Sequence, residues 1–276
     1  MNECLQGAFD CHFHTAPDVT ERKLTDLELA KDWLSAGMSG GVIKSHYSDT
    51  TGRAAMIREL YPELSVFGGL VLNRQAGGLN PEAARRMAEA GGRYLWFPTM
   101  DSREYRKHHG GEAAKDPGLI SLLDEDGKLL PAVYDVLDVA AKHDLVVGTG
   151  HVGEREGLPL VRAAAERGVK RIVLTHAENL STYFSPEAQR ECVKLGAMVE
   201  HSFFTVYHNR ITWEQMTEQI RAVDPAHCFL VTDFGQMNSP GSAEGMGLFV
   251  KGLLERGFTE GEITRMVKEN PRELFA

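Results

Sequence analysis

The stretch AFDCHFHTAPDV, residues 8–19, sets His12 and His14 one residue apart at the end of a short apolar run. On an extended chain residues i and i+2 share a face. The pair is therefore either two imidazoles aimed together at a metal ion or two incidental histidines on a loop. The pattern of a polar residue closing an apolar run recurs: His46 closes GGVIKSH, His151 closes LVVGTGH, His176 closes RIVLTH and Asp233 closes CFLVTD. Lys44 stands two before His46, again on one face. Neutral imidazole and carboxylate suit zinc, iron or manganese, and a catalytic ion keeps one position open for water. Whether these groups meet depends on the elements that carry them.

Short β-branched or apolar runs mark eight candidate strands, at 7–14, 40–46, 65–73, 93–99, 145–151, 171–176, 197–202 and 228–233. Amphipathic helical patterns lie between them. Asn80-Pro81 and Ser185-Pro186 read as an N-cap followed by proline at the first helical position, and Gly37, Gly91, Gly168 and Gly196 follow the last periodic residue. Thr259 and Glu262 have capping-box spacing near the end. An eightfold βα alternation in 276 residues predicts an α/β fold of the (β/α)8 TIM-barrel kind, one domain over 1–276; an open doubly wound sheet uses the same units. In a barrel the C-terminal strand ends converge on one mouth, so residues over 200 apart in sequence can surround a single ion. The long insertion at 100–130 is expected to hang over that mouth as a lid or specificity loop, with a small hairpin turned by DEDG.

Composition narrows the partners. A net charge of -9 with no Lys/Arg stripe argues against nucleic acid and for a small molecule. No apolar run approaches the length of a membrane span, and MNECLQGAFD lacks a basic segment followed by an apolar one, so neither a membrane nor a secretory signal is expected. Cys4, Cys11, Cys192 and Cys228 have no CxxC spacing and fit reduced thiols in the cytoplasm; self-association is left open. GTGHVG at 148–153 matches GxGxxG, but it follows the fifth strand, its helix is not expected to begin at once, and the next strand ends in His176 where a ribose-binding acid would stand. It is set aside as a dinucleotide site.

The order HxH on strand 1, His on strand 5, His on strand 6 and Asp on strand 8 resembles the amidohydrolase superfamily of metal-dependent barrels, over nearly the whole chain. ENPRELF is similar to the Asn-Pro stretch that often closes those proteins, and KSHYSDTTGRA to a branch whose members mostly lack an assigned reaction. The resemblance implies one or two divalent ions, zinc first and iron or manganese as alternatives. His12, His14, His151 and Asp233 would be ligands, and His176 a second-metal ligand or catalytic histidine. Many binuclear members bridge their metals with a carboxylated Lys or a Glu on strand 4. Here that strand ends WFPTMDS and offers only Thr99 and Asp101. Lys44 is the substitute candidate, either carboxylated and bridging or a cation that orients a substrate carboxylate.

Arg22, Arg53, Arg74 and Arg103 follow strands 1 to 4 and are candidates to clamp an anionic substrate, with His46 beside them. Glu200 and His201 are adjacent on strand 7, so only one points inward; His201 is carried as the substrate contact. His108 and His109 in the insertion read as a solvated pair. Together these residues predict a metal-dependent hydrolase of a small polar or anionic molecule with an amide, lactone or cyclic imide bond, with Asp233 as general base and His176 or His201 at the oxyanion. A mononuclear decarboxylase or lyase, and a non-haem iron oxygenase, are alternatives on the same scaffold.

Overall fold

The computed structural model describes residues 3–276; Met1 and Asn2, which begin both MNECLQGAFD and the expected 1–276 domain, lie outside the described residues. Eight strands form where the apolar runs stand: β1 Phe9–His14, β2 Gly40–Lys44, β3 in two pieces, Ser65–Phe67 and Gly69–Val71, β4 Tyr94–Trp96, β5 Val146–Gly148, β6 Arg171–Leu174, β7 Ala197–Ser202 and β8 Cys228–Val231. All pair in parallel and in chain order, the first piece of β3 with β2 and the second with β4. The break in β3 is at Gly68, where a Cβ would come within 2.4 Å of the Thr50 carbonyl oxygen. Thr50 stitches the strands there: its hydroxyl donates to the Ile43 carbonyl at 2.8 Å and accepts from the Gly69 N–H at 2.9 Å.

The seam between β8 and β1 completes a (β/α)8 fold. His14 N–H donates to the Phe234 carbonyl at 2.8 Å, and Asp233 N–H to the His12 carbonyl at 2.9 Å. Buried Asp10 adds a side-chain link, accepting from the Thr232 N–H, the Thr232 hydroxyl and the Ser242 hydroxyl. The bonds that join β8 to β1 thus run through the backbone of the residues that end the strands at the mouth.

Helices follow the strands in turn: α1 Asp26–Ser35, α2 Thr51–Leu60, α3 Pro81–Glu89, α4 Arg103–His109, α5 Pro131–Lys142, α6 Glu154–Glu166, α7 Pro186–Lys194, α8 Phe203–Tyr207, α9 Trp213–Val223 and α10 Ser242–Leu254. Asn80 and Ser185 cap α3 and α7 as their types dictate, and α11, Glu260–Thr264, starts in the Thr259–Glu262 capping box. Leu29, Trp33, Leu137 and Phe249 belong to the apolar layer between strands and helices. Phe9, Val42, Tyr94, Trp96, Val173 and Phe229 form a second core, and burial of each such side chain is worth about 1.5–3 kcal/mol. No helix among the described residues is long and apolar enough to cross a membrane.

Two expectations are corrected. The 100–130 segment is not all loop: α4 forms behind a Ser102 N-cap with Glu104 in its first turn, while the DEDG turn does close a minimal hairpin through the Leu123–Leu129 bridge. The helix after GTGHVG begins at once, at Glu154. Its N-terminal Gly153 N–H is occupied by the Glu104 carboxylate at 2.8 Å, and a Cβ on Gly150 would lie 2.1 Å from the Phe97 carbonyl oxygen. Close packing against β4 accounts for Gly148 and Gly150, and an internal acid already takes the N–H of Gly153.

Candidate metal centre

The C-terminal strand ends carry the polar residues to one place. Side-chain ligand atoms of His12, His14 and Asp233 all lie within 4.8 Å of one another. Asp233 Oδ1 is 3.0 Å from His12 Nε2 and 3.3 Å from His14 Nε2. His12 and His14 are buried inward-facing residues of β1, whereas Asp233 stands two residues beyond β8 in the left-handed region, at φ 53°. His176, two residues beyond β6, is also left-handed, at φ 31°. A non-glycine residue held there is strained, and here both strained residues present their side chains to the mouth.

Three of the imidazoles are oriented by a hydrogen bond at Nδ1. His12 Nδ1 is 2.9 Å from Glu200 Oε1, which turns Nε2 toward Asp233 and toward Lys44 Nζ at 3.0 Å. His176 Nδ1 pairs with the Thr182 hydroxyl at 3.0 Å and His46 Nδ1 with the Thr99 hydroxyl at 2.9 Å. The rings then run round the mouth in contact: His14 to His46 at 4.7 Å between centroids, His46 to His151 at 5.3 Å, His151 to His176 at 4.9 Å and His176 to His12 at 6.0 Å. Tyr105 of α4 covers His151 at 4.6 Å. Buried His14 Nδ1 and His151 Nδ1 have no hydrogen-bond partner among the described residues.

The electrostatics favour a cation at this point. Burial opposes charge on Asp233, but the charge of His12 and hydrogen bonds from His12 and His14 outweigh it and hold the carboxyl well below its usual range. Burial likewise opposes a charge on His12, yet Asp233 and Glu200 push its imidazole up to about 9. The carboxylates of Asp233 and Glu200 thus favour positive charge at this point. His14 is driven down to about 3, chiefly by burial, and burial also lowers His46, His151 and His176, so these rings offer neutral lone pairs, the form a metal takes. The donor set therefore fits a divalent ion held by His12, His14 and Asp233, with His151 and His176 across the mouth. Lys44 is fully buried, lies 5.1 Å from the Trp96 ring centroid, and is lowered by burial to about 8.

The other candidates separate. Arg22, held by Asp18 at 2.8 Å, is near enough to lower the proton affinity of His14 and Lys44. Arg53 is engaged by Asp26 and Thr15, exposed Arg74 spans Asp101 and Asp116, and Arg103 reaches the Leu119 carbonyl; these three are tied to protein groups outside the ring of histidines. His201 is corrected: alternation gives the inward position on β7 to Glu200, and His201 turns to the other face, buried with Nδ1 3.1 Å from Glu178 Oε2. Sequence reasoning passed over Tyr105, Thr182 and Arg210. A recognised α4 would have revealed Tyr105, one turn in from its cap; Thr182 and Arg210 carry no local signal.

The family model that matches the chain covers residues 7–200 and is described as a family of unknown function (DUF6282). No curated protein matches by sequence. Among solved structures the fold is similar to an amidohydrolase from Pseudomonas aeruginosa, at a TM-score of 0.63 and 12% identity over 98% of this chain and 96% of that one. It is similar to a 2,6-dihydroxybenzoate decarboxylase from Rhizobium, at 0.56 and 12% over 98% of each chain. It is also similar to a triple mutant of an organophosphorus hydrolase from Deinococcus radiodurans, at 0.56 and 14% over 100% and 95%. These structural neighbours are amidohydrolase-superfamily enzymes, and at such identities the likeness establishes the fold.

Proposed function

The chain belongs to the family of unknown function DUF6282, and on that premise we propose that it is a metal-dependent hydrolase of a small polar or anionic molecule with an amide, lactone or cyclic imide bond. The observation that carries this is the convergence of His12, His14 and Asp233 within 4.8 Å at the mouth. Zinc is the first candidate for that site, with iron or manganese as alternatives. When bound, a divalent ion supplies a Lewis acid that polarises a carbonyl and acidifies water near neutral pH.

The chain's own groups do the rest. Asp233 is ionised at neutral pH, and its Oδ2, which makes no hydrogen bond among the described residues, accepts a proton and returns it to the leaving group. His176, its Nδ1 fixed by Thr182, aims Nε2 at the developing oxyanion. Glu200 positions His12. Lys44, with a neutral fraction at pH 7 because burial lowers it to about 8, is available for carboxylation. Recovery of activity in Lys44→Ala on adding acetate or propionate identifies a carboxylated bridge; retained metal with weakened substrate binding identifies an orienting cation. The free thiols of Cys4, Cys11, Cys192 and Cys228 support a reducing compartment, the cytoplasm.

A second reading keeps the site and makes the protein a mononuclear decarboxylase. The observation favouring it is that β4 delivers Thr99, bonded to His46, where a bridging acid would stand. Protein purified without chelator, assayed on lactones, cyclic imides, N-acyl amino acids and aromatic carboxylic acids, separates the two. Hydrolysis liberates acid without carbon dioxide and stops on chelation, which is the result expected. Carbon dioxide release selects the second reading, and turnover indifferent to chelator defeats both.

A further inference from the structure

Beside the histidine ring, with Tyr105 between them, lies a cavity of about 350 Å³ walled by α4 (Tyr105, His108, His109), the segment after β6 (Asn179) and the turn after α8 (Arg210). These segments all follow the C-terminal ends of strands, so the cavity opens on the same face as the metal centre. Although the chain is strongly acidic, no Asp or Glu lines this cavity.

Arg210 has no hydrogen-bond or salt-bridge partner for its guanidinium among the described residues, unlike Arg22, Arg53 and Arg74, each held by an acid. Its backbone is fixed, since Asn209 turns left-handed at φ 53° and the Arg210 N–H closes on the Thr205 carbonyl at 2.7 Å. His109 donates Nδ1–H to the Tyr105 carbonyl at 2.8 Å, which ties the wall of the cavity to α4. Tyr105 joins the two places: its ring lies on His151, and its phenol feels the charges of both Asp233 and Arg210.

We propose that this cavity is an anion subsite in which Arg210 holds a carboxylate of the substrate remote from the bond that is broken. The substrate class is then a molecule with an acyl or carboxyl group at the metal centre and a second, terminal carboxylate. A guanidinium suits this because its planar fork matches a carboxylate bidentately. The subsite rests on the metal-centred reading for the inner half of the substrate alone.

Calorimetric titrations test it with glutarate, adipate and isophthalate, each against the monocarboxylate of the same skeleton: pentanoate, hexanoate and benzoate. The proteins are wild type purified without chelator, Arg210→Ala, Arg155→Ala as a surface-arginine control and the His12→Ala/His14→Ala double variant, each checked for fold by circular dichroism. The expected result is that at least one dicarboxylate binds wild type and Arg155→Ala about tenfold or more tighter than its partner, a preference that Arg210→Ala abolishes. Equal binding of the paired acids to wild type, or an undiminished preference in Arg210→Ala, overturns the subsite. Dicarboxylate binding that Arg210→Ala weakens but the double histidine variant leaves unchanged keeps the subsite and refutes the metal-centred reading.

Discussion

The two ends of the barrel are built from the same strands by opposite rules. β1 begins with Phe9, whose ring meets Phe67 at 6.1 Å and Phe275 at 5.7 Å, and ends five residues on with His14 among imidazoles. At the Phe9 end the contacts are aromatic, buried and non-directional, and Tyr94 stacks on Trp96 at 3.8 Å. At the His14 end the contacts are directional: Glu200, Thr99 and Thr182 orient His12, His46 and His176, while His14 Nδ1 and His151 Nδ1 are left without a partner among the described residues. One end therefore holds the fold, and the other tolerates buried polar groups and left-handed residues for chemistry. Substitutions at the two ends should have separable consequences.

The largest effect is expected at Asp233. Asparagine keeps its shape and one oxygen ligand but cannot shuttle a proton, so Asp233→Asn should lose about 10²–10⁴ in kcat with little change in metal content or stability. A near-native kcat on an identified substrate would transfer the proton role to His176. Next comes the aromatic end. Phe9→Ala removes a ring that is 2% exposed and should cost about 3 kcal/mol in urea unfolding while metal stoichiometry stays at the wild-type value. Loss of metal in that variant would break the division between the ends.

The smallest effect, counted per group, is the pH dependence of metal-free protein. His14 titrates at about 3 in the folded chain, below its ordinary 6.5, and His46 and His151 are lowered in the same sense. The unfolded chain then binds protons that the folded one refuses as pH falls below 6.5. Stability should drop by about 1.4 kcal/mol per pH unit for each such group. Asp10, raised to about 6 by burial, acts in the opposite sense between pH 6 and 4, and the half-buried Asp32 and Glu104, raised for the same reason, act with it against the four histidines lowered by burial, His14, His46, His151 and His176. A urea midpoint at pH 5 equal to or above that at pH 7 would contradict the assignment of these rings as buried and neutral.

How much of this the sequence carried differs between the two ends as well. The strands were legible because their buried runs and flanking caps are local signals, and with the strands came the positions of His12, His14, His176 and Asp233 at their tips. The choice between Glu200 and His201 was not. Alternation says that they face opposite ways and leaves open which way, and the answer depends on a hydrogen bond to His12, 188 residues away. Arg53 and Arg74 invited a substrate role because their partners Asp26, Asp101 and Asp116 are distant in sequence. Arg210 was passed over for the converse reason, since having no partner is visible only in three dimensions. α4 is short and rich in His and Arg, so its period was too weak to stand out from the insertion.

The central claim, that His12, His14 and Asp233 hold a divalent ion, is tested most directly by zinc titration of chelator-stripped protein with elemental analysis of the dialysed product. Wild type should retain about one ion per chain or more. His12→Ala/His14→Ala, with unchanged circular dichroism, should retain none. Equal stoichiometry and affinity in the two proteins would contradict the account.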